Sequence, residues 1–199
     1  AVVQAVEKFG GIDVLVNNAS AISLGGTLGM PTKKLDLMWD VNMRATFLVS
    51  QACIPYRRQS DKPHILTMSP PLNLDAKWFA PHLAYTMSKY GMSMCTLGMA
   101  REFAADDSGA NGIAVNCLWP RTTIATAAIE LNFPGPILRA SRKPAIVADA
   151  AYAILTRDSR ICSGNFFIDE EVLREAGVTD FGQYAVSPGT PLYNDLFLG

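Results

Sequence analysis

Four short apolar runs, each set apart from the next by a longer stretch of helical periodicity, constrain this chain more than any other feature. The runs lie at 12–17 (IDVLVN), 64–68 (HILTM), 113–118 (IAVNCL) and 165–169 (NFFID). Nearly continuous apolar character over so few residues is what a strand needs when both of its faces are covered. Around them, apolar residues recur at helical spacing over 1–9, 32–57, 83–105 and 146–156. Strands that alternate with helices predict an α/β fold, a doubly wound parallel sheet of Rossmann-like type. Gly10-Gly11 should end the first helix. In the second, Thr32 is a plausible cap, with Leu35, Met38, Val41, Ala45, Leu48 and Ala52 along the buried face. Segments 18–31 and 72–82 read as loops, 106–112 as a surface connection and 122–144 as irregular. The stretch 170–199 begins as a charged helix and continues as coil, an extension of the same domain, and 199 residues make one domain.

The charge balance, a net −1, provides no strong positive field, so nucleic acid is not an expected partner. No apolar stretch approaches the roughly 20 residues of a membrane span. The opening ten residues have neither the basic start nor the apolar block of a signal peptide. The thiols Cys53, Cys95, Cys117 and Cys162 stand far apart with no C-x-x-C pair, and the histidines are only His64 and His82. Buried thiols in a reducing, cytoplasmic setting are expected, and no metal site. Met87, Met92, Met94 and Met99 read as core and helix-interface filler on the third helix.

Chemistry concentrates in Tyr85-Thr-Met-Ser-Lys89. Positions i and i+4 share a helix face, so the phenol and the ammonium would lie side by side. A lysine there favours the phenolate and lowers the tyrosine pKa, making a proton donor or acceptor for a carbinol–carbonyl interconversion. Alone, the pair also fits a solvated helix face. Around it stand Asn17-Asn18-Ala19-Ser20 at the end of one strand, Asn42 within the second helix, Ser69 at the end of the second strand, and Pro120 after the third. Carboxyl ends of strands are where open parallel sheets bind ligands.

This ordered set resembles the short-chain dehydrogenase/reductase family along the whole chain. The resemblance implies an oxidoreductase using NAD or NADP, with a small apolar substrate and a homo-oligomeric assembly. Tyr85 would be the general acid–base and Lys89 its tuning partner and ribose anchor; Asn42 would hold a relay water. Asn17, Ala19, Ser20, Pro120, Thr122 and Thr123 would meet the cofactor, as would Tyr85 and Lys89. The apolar residues of 125–138 would form a substrate lid. Three departures stand out. Pro70 follows Ser69 where a second serine is usual, so Ser69 either reaches the substrate oxygen or merely ends a strand. Arg121 replaces a glycine, and either its backbone differs or its charge approaches a phosphate. The family's Gly-rich pyrophosphate turn does not occur between Ala1 and Gly199, which implies an N-terminally truncated unit with about 80 residues ahead of Ala1. The alternative is a non-catalytic homologue acting as a binding or structural protein.

Overall fold

The computed structural model describes residues 1–57, 60, 62–104 and 112–198. Four strands, β1 (Val14–Asn17), β2 (His64–Met68), β3 (Ala114–Trp119) and β4 (Phe166–Ile168), form a parallel sheet in the order β1-β2-β3-β4. The helices are α1 (Val2–Phe9), α2 (Thr32–Met38), α3 (Ala45–Arg57), α4 (Leu83–Glu102), α5 (Ala127–Asn132), α6 (Gly135–Arg139), α7 (Ala145–Leu155) and α8 (Asp169–Glu175). The expected connection 106–112 lies outside the described residues apart from Gly112, as does Ala105 at the end of the third predicted helix.

Strand residues alternate between two cores, as a doubly wound sheet requires. Ile65 and Val115 pack with Met99 and Ala100 of α4. Leu66 and Leu118 turn the other way, onto Ile146, Ala150 and Ile154 of α7 and Val172 and Leu173 of α8. A third cluster, around Tyr85, caps the carboxyl ends of the strands. Gly10 closes α1 in the left-handed region at φ 84°, where its N–H reaches the Val6 carbonyl.

Three expectations need correction. First, β1 is not covered on both faces: Val14 and Val16 are 41% and 42% exposed. Among the described residues it is one edge of the sheet, with β4 the other, and α7 packs on β2 and β3. Second, the long second helix is broken by a π-helical turn, Trp39–Arg44, between α2 and α3. The wider turn takes up an extra residue and moves the buried stripe to Met38, Asn42, Thr46, Ser50 and Cys53. Leu48 and Ala52, predicted inside, are exposed; Leu35, Val41 and Ala45 are half-buried. Pro31, not Thr32, occupies the N-cap, with no side-chain capping bond. Third, 122–144 contains α5 and α6. The methionines divide between core and helix surface: Met92 and Met99 are buried, and Met87 and Met94 lie exposed on the outer face of α4.

Gly91 explains how the π turn sits so close to α4. A Cβ there would fall 2.6 Å from Met43 Cγ, so any side chain would push the two helices apart. That approach brings Asn42 to Ser88, and with it the site into register.

Candidate active site

The carboxyl ends of β1, β2 and β3 open toward α4, and Tyr85 and Lys89 lie one helical turn apart on its buried face. Lys89 Nζ donates to the Met68 carbonyl at 2.7 Å and lies 3.4 Å from Ser20 Oγ. The ammonium stands 5.0 Å from the Trp119 ring centroid. Burial, against which Cys117 and Asp195 act, pulls its pKa down to about 8. The Tyr85 ring joins Phe197, Tyr90, Trp119 and Met38 in the third core cluster.

The phenol departs from the sequence expectation. Burial drives its pKa far above the ordinary tyrosine value, and Asp195 adds to the shift. In this arrangement desolvation governs the phenol, because removing a phenolate from water is costly and the nearby carboxylate adds to the cost. Asp195 itself is raised to about 7, first by burial, with Leu196 N–H and Lys89 opposing it and Asp169 adding to it.

Asn42 joins three elements. Its Oδ1 accepts from Ala21 N at 2.7 Å and Ser20 Oγ at 3.1 Å. Its Nδ2 donates to Ala21 O and to Ser88 Oγ, each at 2.9 Å. Ser88 Oγ in turn donates to the Tyr85 carbonyl at 2.8 Å. The amide is saturated by protein. Its visible work is therefore to fix the loop after β1 against the helix that carries Tyr85. Asn42→Ala would leave the Ala21 N–H and carbonyl unpartnered, and unfolding in denaturant should show a loss of about 2–3 kcal/mol. A loss under about 0.5 kcal/mol would remove Asn42 from this positioning role.

The other expected residues fall into two groups. Asn17 Nδ2 donates to Ser50 Oγ at 3.1 Å and to Thr67 Oγ1 at 3.4 Å, which ties β1 to α3 and β2. Ser69 is fully buried; its hydroxyl donates to the Lys89 carbonyl at 2.7 Å and lies 2.5 Å from Ser93 Oγ. Thr123 faces inward, 2.7 Å from Ser141 Oγ. Thr122 Oγ1 is buried without a protein partner. Ala19 and Ser20 stand exposed beyond β1. Arg121 is not in the left-handed region, and its N–H donates to Asp169 Oδ1 at 2.8 Å. Its guanidinium is ion-paired with Glu171 of α8.

A cleft of about 500 Å³ runs between the sheet face and α7 up to these strand ends, lined by Val16, Asn18, Met68, Trp119, Pro120 and Thr126 among others. Thr126, Trp119 and Asp195 escaped the sequence reading. Thr126 carried a weak signal, a hydroxyl shortly after Pro120; Asp195 carried none.

Asp195→Asn tests the electrostatics. Without the carboxylate the Tyr85 pKa falls, so any phenol-dependent alkaline limb should move to lower pH. The stability consequence has a definite sign. A carboxyl whose folded pKa is about 7, above its ordinary 3.8, contributes stability at low pH that is lost as pH rises through about 7. Thermal melts should therefore show the variant gaining on the wild type between pH 4 and 7.5. A constant difference across that window would remove Asp195 from the buried site.

A family profile described as short chain dehydrogenase matches residues 1–132. Hydroxysteroid dehydrogenase-like protein 2 of Homo sapiens is 56% identical over 199 residues, all of this chain and 46% of the relative. The chain thus spans about half the length of the curated relatives it matches. A crystal structure of a Xanthomonas campestris protein superposes with a TM-score of 0.93 at 51% identity, covering all of this chain and 71% of that one. A short chain dehydrogenase from Mycobacterium thermoresistibile gives 0.89 at 48%, covering 100% and 69%.

Proposed function

The chain belongs to the short-chain dehydrogenase family, and from that premise we propose that it carries the catalytic portion of an NAD- or NADP-dependent oxidoreductase interconverting a hydroxyl and a carbonyl on an apolar substrate. The observation that carries the reading is the setting of Tyr85. Tyr85 and Lys89 lie one helical turn apart on the buried face of α4, at the strand ends, with Tyr85 among aromatic and aliphatic side chains.

In this reading Tyr85 passes a proton to or from the substrate oxygen. Lys89 holds positive charge beside it and offers its ammonium to a ribose. Asn42 is a positioning residue for both. Ser69, held to Lys89 O and Ser93, supports the backbone of α4; an acid–base role for it would require those bonds to break. The cleft suits a nicotinamide: its apolar wall fits a flat ring, Thr126 and Asn18 offer polar edges, and Thr122 keeps an unpartnered hydroxyl nearby in sequence. Asn17, Ala19, Ser20, Pro120 and Thr123 complete that side in the proposal, Asn17 and Thr123 from behind. Bound there, a nicotinamide supplies or accepts the hydride. Fold neighbours support the choice of cofactor class, a ketoreductase with bound NADP and a 4-hydroxyisoleucine dehydrogenase with NADH.

Apolar side chains left exposed on α3 and α4, including Phe47, Leu48, Val49, Met87, Met94 and Leu97, support pairing of these helices between copies, a homo-oligomer. No helix among the described residues is long and apolar enough to cross a membrane. A cytoplasmic, reducing location belongs to the same proposal, on thiols that stand far apart in sequence with no C-x-x-C pair. A non-catalytic homologue is not favoured, since Tyr85, Lys89 and Asn42 are assembled in one site.

The test is turnover of simple apolar ketones by the full-length protein, followed by nicotinamide absorbance with NADH and with NADPH. Oxidation of either cofactor that depends on the ketone is the expected result. No turnover with either, in reduction or in the reverse oxidation of the alcohols, would sink the reading.

A further inference from the structure

Segment 193–198 returns from α8 to the site by way of four hydrogen bonds. Thr123 N donates to Tyr193 O at 3.0 Å, Tyr193 N to Ala140 O at 2.9 Å and Asp195 N to Arg121 O at 3.1 Å. Trp119 Nε1 donates to Leu196 O at 3.0 Å. The residue that follows this fastening, Phe197, has φ 73° and is the one non-glycine with positive φ among the described residues. A phenylalanine enters the left-handed region only at a cost, and such strain gathers at functional sites.

The turn aims the ring at one place. Its centroid lies 5.3 Å from Tyr90, 5.8 Å from Trp119, 5.9 Å from Trp78 and 6.3 Å from Tyr85. Phe197 is 3% exposed. Tyr85 therefore meets a side chain brought from more than a hundred residues away, in a cluster that also holds Met38, Tyr90, Trp119 and Ile168.

We infer that segment 193–198 forms a wall of the substrate site and that Phe197 sets the size of the apolar group admitted beside Tyr85. The inference rests on the oxidoreductase reading and narrows it. The group admitted beside Tyr85 is apolar, since the rings of Phe197, Tyr90 and Trp119 gather there. Its body lies against Trp78, Tyr90 and Phe197. The fastening at 193–196 keeps the wall in place, so residue 197 acts through its volume.

The experiment compares cyclohexanone with the fused bicyclic 1-decalone, using full-length wild type, Phe197→Leu and Phe197→Trp. The ratio of kcat/KM for 1-decalone over cyclohexanone should rise about tenfold in Phe197→Leu and fall in Phe197→Trp, the scale expected when an apolar pocket gains or loses a few carbon atoms of room. Both ketones changing by one common factor, or neither changing, overturns the inference. Near-UV circular dichroism checks folding, and Phe197→Met, closer in volume, takes the place of a variant that does not fold. Failure of the oxidoreductase reading looks different: wild type then turns over neither ketone. In that event tryptophan fluorescence titrated with 1-decalone still reads the wall. Its apparent Kd should change about tenfold between wild type and Phe197→Leu, and an unchanged Kd overturns the inference.

Discussion

Turnover of an apolar ketone should fall by roughly 10²–10⁴-fold in full-length protein carrying Tyr85→Phe, the range over which a single general acid–base acts. The substitution removes one oxygen and keeps the ring. Its packing with Phe197 at 6.3 Å and with the rest of the cluster should survive. The Ser88 bond to residue 85 goes to the backbone carbonyl and is untouched. Near-UV circular dichroism should therefore match the wild type while kcat/KM collapses. The direction of the Tyr85 shift sharpens the expectation. A phenol whose pKa is raised by burial stays protonated at neutral pH. In that form it can donate a proton to a developing alkoxide. Activity within tenfold of the wild type would mean that the proton travels by another route.

Lys89→Met should cost about 10²–10³-fold in kcat/KM, comparable to other single removals of preorganised charge. Methionine keeps the length of the stem but loses the donor to Met68 O and the cation over Trp119. Stability should move the other way with pH. Lys89 in the folded chain titrates near 8, below its ordinary 10.5. At pH values between the two, the unfolded chain binds the proton and the folded chain does not. Its contribution to unfolding free energy therefore rises from about pH 8 to 10.5, and below pH 8 burying the charge is a fixed penalty. The variant should lack that rise. Chemical denaturation of both proteins across pH 7–10.5 reads it directly, and parallel curves would mean that Lys89 is not held at a lowered pKa. A site that gives up stability to keep a buried cation is a familiar trade between stability and function.

The strands were legible because covered strands leave runs of apolar residues that local reading detects, and all four were found within two residues of their ends. The π turn at Trp39–Arg44 was not. Helical periodicity assumes 3.6 residues per turn, and one extra residue rotated the stripe so that Asn42, rather than Val41, faced inward. Helices α5 and α6 were hidden by Pro134, Gly135 and Pro136, read as breakers although proline is at home in the first turn of a helix. The exposure of Val14 and Val16 depended on which neighbours β1 has, and that is no property of its own residues.

The site divides in the same way. Tyr85 and Lys89 were legible because an i, i+4 pair is a local relation that any α-helix enforces. That Asn42 would join loop and helix was visible only as a polar residue among apolar ones. Trp78, Trp119, Asp195 and Phe197 are gathered by folding from the segment before α4, the end of β3 and the stretch after α8, and no spacing rule links them.

By itself, then, the amino-acid order determined the α/β class, the helix that carries the phenol and the ammonium, and the ends of the strands where a ligand belongs. These follow from periodicity and from contacts within a few residues. Tertiary structure alone decided the sign of the Tyr85 shift, the engagement of Ser69 with Lys89 and Ser93, and the aromatic wall at Phe197. Each depends on how much water is excluded and which distant groups are brought in to replace it. Desolvation is a property of the assembled volume, and here a distant carboxylate acts with it.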